Sequence, residues 1–365
     1  MTSSVRQNFQ LLFMWSVLIS LAVYVAMKSN LWVGLFFGLA VFSGVFPFRS
    51  SLSSEALVWV MLGVLWYHIS VQLLNTDDLI DAAMVAILLI GLANVVFLLF
   101  QYFDVDPIHI ARASVGRLKV GLMSSHNGAA AMLAFCFPAI AVIFTRAKGL
   151  YSVRTRLIFT GIAIVMFCIG FVLAGTFGGP FSIGVAIVVM VVIRVPGWPG
   201  KIFIAGVTGG VLMIYSIFVD PPDTFNRLEA WKMAARLFPE HWIFGSGVGH
   251  WKLFFARPDI LQRIGGPAFN IMEPWFRNTA DIHYFKQAHN EFIQMTFEMG
   301  AGFALIVVGY FVNIVRRYQE KVLIPLFAIT VISVNSMFYF PFHISLSAAV
   351  ALLWMALLET QLRSN

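Results

Sequence analysis

The sequence predicts an all-α polytopic membrane protein with about 10–12 transmembrane helices and one large outer loop subdomain. Three observations carry that expectation. Of 365 residues, 60% are hydrophobic and 11% charged, against about 45–50% and about 25% in soluble domains. Apolar segments of bilayer-spanning length, about 20 residues, recur along nearly the whole chain. Two hydrophilic interruptions stand between them, Asp104–His126 and Asp220–His289. In lipid, backbone polarity leaves only helices or closed barrels, and runs this long and continuously apolar exclude a barrel.

In chain order, spans are expected over Phe9–Met27, Leu31–Phe48, Ala56–Leu74, Leu79–Phe103, Asn127–Thr145, Leu157–Ala174, Pro180–Ile193 and Ile202–Val219. Asn290–Val315, Val322–Tyr339 and Ile344–Leu358 follow the long interruption. The second span also reads as a split or re-entrant segment. The expected organisation is residues 1–219 as N-terminal transmembrane helices, 220–288 as the loop subdomain and 289–365 as C-terminal transmembrane helices. The first apolar run has no small-residue cleavage site after it, so no removable signal is expected.

Basic residues orient the chain. The loop "RAKGLYSVRTR" contains Arg146, Lys148, Arg154 and Arg156, so it is expected inside. Arg194 with Lys201, and Arg316 with Arg317 and Lys321, agree with that. The same alternation puts both hydrophilic interruptions outside, together with their cations. Arg112, Arg117 and Lys119 lie in the first; Arg227, Lys232, Arg236, Lys252, Arg257, Arg263, Arg277 and Lys286 lie in the second. Cations on the translocated side do not set topology; they are either solvated surface or an anion site. The net charge of +7 points to membrane lipid headgroups and no nucleic acid. Cys136 and Cys168 both lie in apolar segments without CxxC or metal spacing, so both are expected to be small core hydrophobes.

"FNRLEAWKMAARLF" (Phe225–Phe238) has helical spacing. Leu228, Trp231, Ala235 and Phe238 fall on one face, with Glu229, Lys232 and Arg236 turned away. Arg227 lies at the edge of the apolar face, where it either stacks on Trp231 or pairs with an acid, or aims its guanidinium at an anionic ligand. "FPEHWIFGSGVGHW" follows, with Gly245, Gly247 and Gly249 able to form a plain turn or a phosphate cradle; it is not a dinucleotide fingerprint. Trp242, Trp251 and Trp275 place this loop at the membrane interface.

"KQAHNEFIQMTFEMG" runs from Lys286 into an apolar segment. A helix beginning near His289 brings Thr296 and Gly300 back to the His289 face, where a small residue lets another helix approach. An imidazole titrates near neutrality, and the positive end of a helix dipole favours its neutral, basic form. It is either a proton acceptor or an interfacial His bonded to a loop carbonyl. Glu298 lies about 13 Å further along and is expected to be paired or protonated.

At these residues the chain resembles the O-antigen ligase and O-antigen polymerase-like superfamily of bacterial membrane glycosyltransferases. "HNEFIQMTFEMG" resembles the family's His-Asn opening and His-x10-Gly spacing. "NRLEAWKMAARLFPEHWIFGSGVGHW" resembles its Arg, a Trp four residues on, and a Gly-x-Gly turn. "GLMSSHNGAAAMLAFCFPAIA" resembles the helix after its first outer loop. The resemblance covers roughly Gly121 to Leu358. It implies transfer of a glycan from an undecaprenyl-diphosphate carrier to an acceptor on the periplasmic face of the bacterial inner membrane. It implies no cofactor and, for the ligases, no metal.

Carried over, His289 is the catalytic base and Arg227 a diphosphate ligand, with Arg257 a second. Trp231 and Asn290 complete the expected substrate-binding set. Many members carry Ser-Arg at the outer end of a mid-chain helix, whereas this chain reads "AGTFGGPFS" (Ala174–Ser182). Arg112, Arg117 and Lys119 are the candidates for the missing charge. The expected partners are an undecaprenyl-diphosphate-linked glycan and lipid A-core or another glycan acceptor. A polymerase, a protein O-oligosaccharyltransferase and, in a different class, a transporter or flippase are the alternatives.

Overall fold

The structure, a computed structural model, describes residues 20, 24, 28, 30–45, 51–105, 119–123, 125–146, 152–194, 231–232, 234–239, 241–251, 288–337, 339 and 341–363. The expected spans Phe9–Met27 and Ile202–Val219 lie largely or wholly outside these residues. The protein is an all-α polytopic membrane protein. Among the described residues five helices are long and apolar enough to cross a bilayer: Glu55–Leu73, Asp77–Tyr102, His126–Thr145, Val153–Ala174 and Ser345–Arg363. Leu31–Gly44, Gly178–Arg194 and Ala301–Arg316 are shorter apolar helices. The chain forms two compact units, one of residues 1–68 with 220–317, the other of 69–219 with 318–365.

The second unit contains α3 (Asp77–Tyr102), α4 (His126–Cys136), α5 (Pro138–Arg146), α6 (Val153–Ala174), α7 (Gly178–Arg194), α10 (Leu323–Ser336) and α11 (Ser345–Arg363). Helix α4 is its centre. Its run of Gly128, Ala129, Ala130, Ala131 and Ala134 is buried, because short side chains let neighbouring helices approach closely where lipid supplies no hydrophobic drive. Gly91 of α3 receives the Phe167 ring of α6, and a Cβ there would meet it at 2.5 Å. Gly170 of α6 likewise lies against Leu133 and Val95. The expected span Asn127–Thr145 is present as the single candidate span His126–Thr145, with its helical hydrogen bonding interrupted between α4 and α5, since Pro138 has no N–H to give to the carbonyl four residues back. Beside the break, the buried Trp354 indole donates to the Phe135 carbonyl at 2.8 Å.

Where the chain enters α4, two amides of α3 grip the backbone. Gln101 Oε1 accepts from Val120 N and Gly121 N, each at 2.9 Å, and its Nε2 donates to Gly121 O at 3.0 Å. Asn94 Oδ1 accepts from Leu122 N at 2.9 Å, and its Nδ2 donates to Ala129 O at 3.0 Å. Both side chains are buried. Gln101→Leu strands three backbone groups and is expected to lower stability by about 3 kcal/mol. Thermal unfolding of the purified variant checks this.

The first unit contains α1 (Leu31–Val45), α2 (Ser51–Leu73, whose last turn belongs to the second unit), α8 (Glu291–Met299) and α9 (Ala301–Arg316). Asn30 caps α1 by accepting from Trp32 N at 2.8 Å. Helices α1 and α9 run antiparallel: Leu39 lies on Gly302, Phe36 on Phe303 at 6.2 Å, and Trp32 on Gly309. Phe37, Ala40, Val41, Leu57, Val64, Met299 and Phe303 form an apolar cluster, and Val248 from the glycine-containing loop completes it. The expected unbroken span Asn290–Val315 is corrected here to two helices, α8 and α9, divided at Gly300.

Candidate functional site

The site is built around the junction of α8 with the loop that precedes it. Asn290 is extended, with φ −155° and ψ 108°, and its side chain accepts from Ile293 N at 3.0 Å. That is an N-cap, so the helix starts at Glu291. His289 therefore lies ahead of the helix and not on it, as the sequence reading had it. Its φ is +52°, an uncommon conformation for a residue other than glycine. Such backbone persists only where the surroundings hold it, and it clusters at functional sites.

The surroundings that hold it are the two polar groups of Ala288. Ala288 N donates to Gln294 Oε1 at 2.9 Å, and Ala288 O accepts from the Trp231 indole at 2.8 Å. One bond comes from α8 and the other from the helical stretch at residues 231–232 and 234–239. Gln294 is fixed in turn, donating through Nε2 to Glu298 Oε1 at 3.2 Å. Glu298 is buried and paired, in agreement with one of the two roles expected for it. Its carboxylate also accepts from Trp251 N at 3.0 Å and Gly249 N at 2.9 Å. Three N–H donors on one buried carboxylate tie the His289 turn, α8 and the glycine loop into one network.

The glycine loop is a clamp on the end of α8. Gly300, at φ +76° and ψ −176°, stops the helix. It leaves the last carbonyls without helical partners. Ser246 N donates to Phe297 O and Gly247 N to Glu298 O, each at 2.9 Å, while Ala301 N donates to Trp242 O at 2.7 Å. Gly300 admits this loop backbone, not another helix: a Cβ on it would meet Ile243 O, and one on Gly245 would meet Glu298 O. The amides of Gly245, Ser246, Gly247 and Gly249 all bind protein oxygens, so the phosphate-cradle reading of this run is replaced by a structural turn.

Two buried side chains complete the clamp. The Trp251 ring meets Phe297 edge-on at 5.7 Å, and His250 Nδ1 lies 2.5 Å from Ser246 O. Burial, the largest cause, pushes the His250 imidazole below its ordinary pKa, reinforced by His241; the Ser246 carbonyl opposes it.

On this helical stretch the buried stripe runs through Ala234 and Leu237, with Trp231 and Phe238 half-buried. Ala235, expected on that face, is exposed, so the stripe is rotated by about one residue. Lys232 and Arg236 are exposed, as their spacing indicated. Trp231→Phe keeps the ring and removes only the bond to Ala288. Turnover is expected to fall about 2–10-fold, the worth of one hydrogen bond, with protein amount unchanged; initial rates normalised to membrane protein check this.

Among the expected site residues, Trp231, His289 and Asn290 belong to the first unit and come together at Ala288. Lys119 belongs to the second unit, its amine 3.5 Å from the exposed Asp104 carboxylate. Arg112, Arg117, Arg227 and Arg257 lie outside the described residues. Gln294 was not singled out from the sequence. The available signal was its place one turn before Glu298, a second polar residue on the same helical face. Among the described residues no group of three or more His, Cys, Asp or Glu is placed to hold a metal.

Residues 118–307 match the family described as O-Antigen ligase. The chain matches no curated protein.

Proposed function

The chain belongs to the O-antigen ligase family, and from this premise we propose that it transfers a glycan from undecaprenyl diphosphate to lipid A-core on the periplasmic face of the bacterial inner membrane. The observation that carries the reading is His289: an imidazole in left-handed backbone immediately before the cap of α8, inside the matched segment, with the preceding residue pinned from two elements.

In the proposed reaction the acceptor hydroxyl gives its proton to His289 as its oxygen attacks the anomeric carbon. The bond from that carbon to the diphosphate oxygen breaks, and undecaprenyl diphosphate leaves with the electron pair. Attack opposite the leaving group inverts the anomeric centre. Arg227 and Arg257 are proposed to meet the charge on the diphosphate, the kind of preset cation that commonly supplies a large share of transition-state stabilisation. No step uses a metal. Asn290 stands next to the base, and its side-chain oxygen is committed to Ile293 N, so its amide nitrogen is the group proposed to face substrate.

The test is a gel assay with purified protein, an undecaprenyl-diphosphate-linked glycan and lipid A-core, run beside His289→Ala. A shifted lipid A-core band that the variant fails to form is the expected result. A ladder of longer carrier-linked glycans would make the protein a polymerase. A product only on Ser or Thr of an added protein acceptor would make it a protein glycosyltransferase. No transfer to any acceptor would overturn the catalytic reading and favour a transporter.

A further inference from the structure

The turn that leads into the glycine clamp presents three large apolar side chains outward. Trp242, Ile243 and Phe244 are 56%, 49% and 45% exposed, in a segment whose backbone is held at both ends. Gly245 N donates to His241 O, and Ala301 N to Trp242 O, each at 2.7 Å. The exposure is therefore not that of an untethered loop tip. From the sequence, this loop is expected to rest on the membrane interface. The structure assigns it a deeper position.

Depth follows from α9. Its far end carries Arg316 and is followed by Arg317, so the hydrocarbon on that side ends close to Val315. From Val315 back to Ala301 is about 21 Å of helix at 1.5 Å per residue. The hydrocarbon core is about 30 Å thick. Ala301, and the Trp242 carbonyl bonded to it, therefore lie about 9 Å inside the opposite boundary, and any tilt of α9 takes them deeper. Two contacts agree. Phe244 packs on Phe42 of the apolar helix α1 at 5.2 Å between ring centroids, and Val248 is buried among Phe37, Leu57, Val64 and Phe303.

We propose that Trp242–Ile243–Phe244 is a re-entrant tip whose side chains are solvated by membrane acyl chains, fixing the glycine clamp from within the bilayer. Acyl chains are the occupant that fits. The patch continues the lipid-side surface of α9, where Leu305, Val308 and Val312 are exposed. Its depth places it among hydrocarbon and not among headgroups. The proposal concerns placement in the membrane and stands independently of the reaction catalysed.

The test uses the full chain in lipid nanodiscs with Cys168→Ala as background, since Cys168 is exposed and Cys136 buried. A spin label is placed through Ile243→Cys, with Val308→Cys as the lipid reference and Arg236→Cys as the aqueous reference. Collision with dissolved oxygen and with a water-soluble nickel chelate is read at each. The expected result is an oxygen-to-nickel ratio at 243 matching that at 308 and several-fold above that at 236. A ratio matching 236 would put the tip in water. Poor access by both reagents would mean that protein, including a second copy of this chain, covers it. Either result overturns the proposal. If the labelled variant fails to fold, Ile243→Lys and Ile243→Leu in the unlabelled chain decide. The lysine variant is expected to melt several degrees lower in nanodiscs and the leucine variant unchanged, and equal melting of the two would overturn it.

Discussion

His289→Ala is expected to reduce glycan transfer by roughly 10²–10⁴-fold, the range attributable to a positioned general base, while the amount of protein in the membrane stays unchanged. The separation of the two effects comes from where the residue sits. His289 precedes the N-cap, so α8 keeps its start: Asn290 still accepts from Ile293 N, and Ala288 still bonds Trp231 and Gln294 through its backbone. The one structural complication is the φ of +52°, which alanine tolerates poorly. His289→Asn is the matching control, because asparagine adopts left-handed backbone readily and has no basic ring. The asparagine variant is expected to be as inactive as the alanine variant and as well folded as the parent. The gel assay together with membrane immunoblotting of all three proteins checks this. An active asparagine variant would remove His289 from the proton-transfer role.

The second large effect is on folding. Gly245→Ala is expected to deplete folded protein severely. Left-handed backbone at φ +72° costs a residue with a Cβ about 1–2 kcal/mol. The new methyl would also meet the Glu298 carbonyl, which is backbone and cannot swing aside. Relief requires the loop to lift from α8. That breaks the bonds from Ser246 to Phe297, Gly247 to Glu298 and Ala301 to Trp242, and each buried group left unpaired costs about 1–3 kcal/mol. The sum approaches the entire stability of an ordinary domain, about 5–15 kcal/mol. Gly161→Ala is the control, since a Cβ there meets nothing within 4 Å. Monodisperse yield on size-exclusion chromatography after detergent extraction should collapse for position 245 and hold for position 161. Equal yields would mean that the clamp contributes little.

Much of this protein was legible in its sequence, at two different grains. The class was plain, because composition and recurrent apolar segments are properties of the bilayer as solvent. Asp77–Tyr102, Val153–Ala174 and Gly178–Arg194 fall within a few residues of the spans expected for them. Breaks were harder. Pro138 and Gly300 interrupt helices whose hydropathy runs straight through them, and a hydropathy window averages over both. His289 and Trp231 stood out by residue type and spacing, but the bond that links Trp231 to Ala288 joins distant parts of the chain and leaves no periodic trace. The glycine loop was readable as a turn or as an anion cradle. Only knowing that Phe297, Glu298 and the Glu298 carboxylate claim its amides decides between them. Gln294 went unnoticed because an uncharged side chain on a short amphipathic helix carries no signal until its partners are known.

The clamp between Trp242–Gly249 and α8 also sets an order of assembly. Trp32 reaches Gly309, and Phe36 reaches Phe303, although about three quarters of the polypeptide lies between them. During synthesis α1 therefore enters the membrane long before the helix that completes its packing exists. The glycine loop is likewise made before the carbonyls it will bind. Until α8 has been made, Ala288 has no Gln294 to meet, and Gly249 and Trp251 have no Glu298. A nascent chain halted before Glu291 thus holds every upstream helix and no assembled His289 turn, which forms only once about the last fifth of the chain has been made.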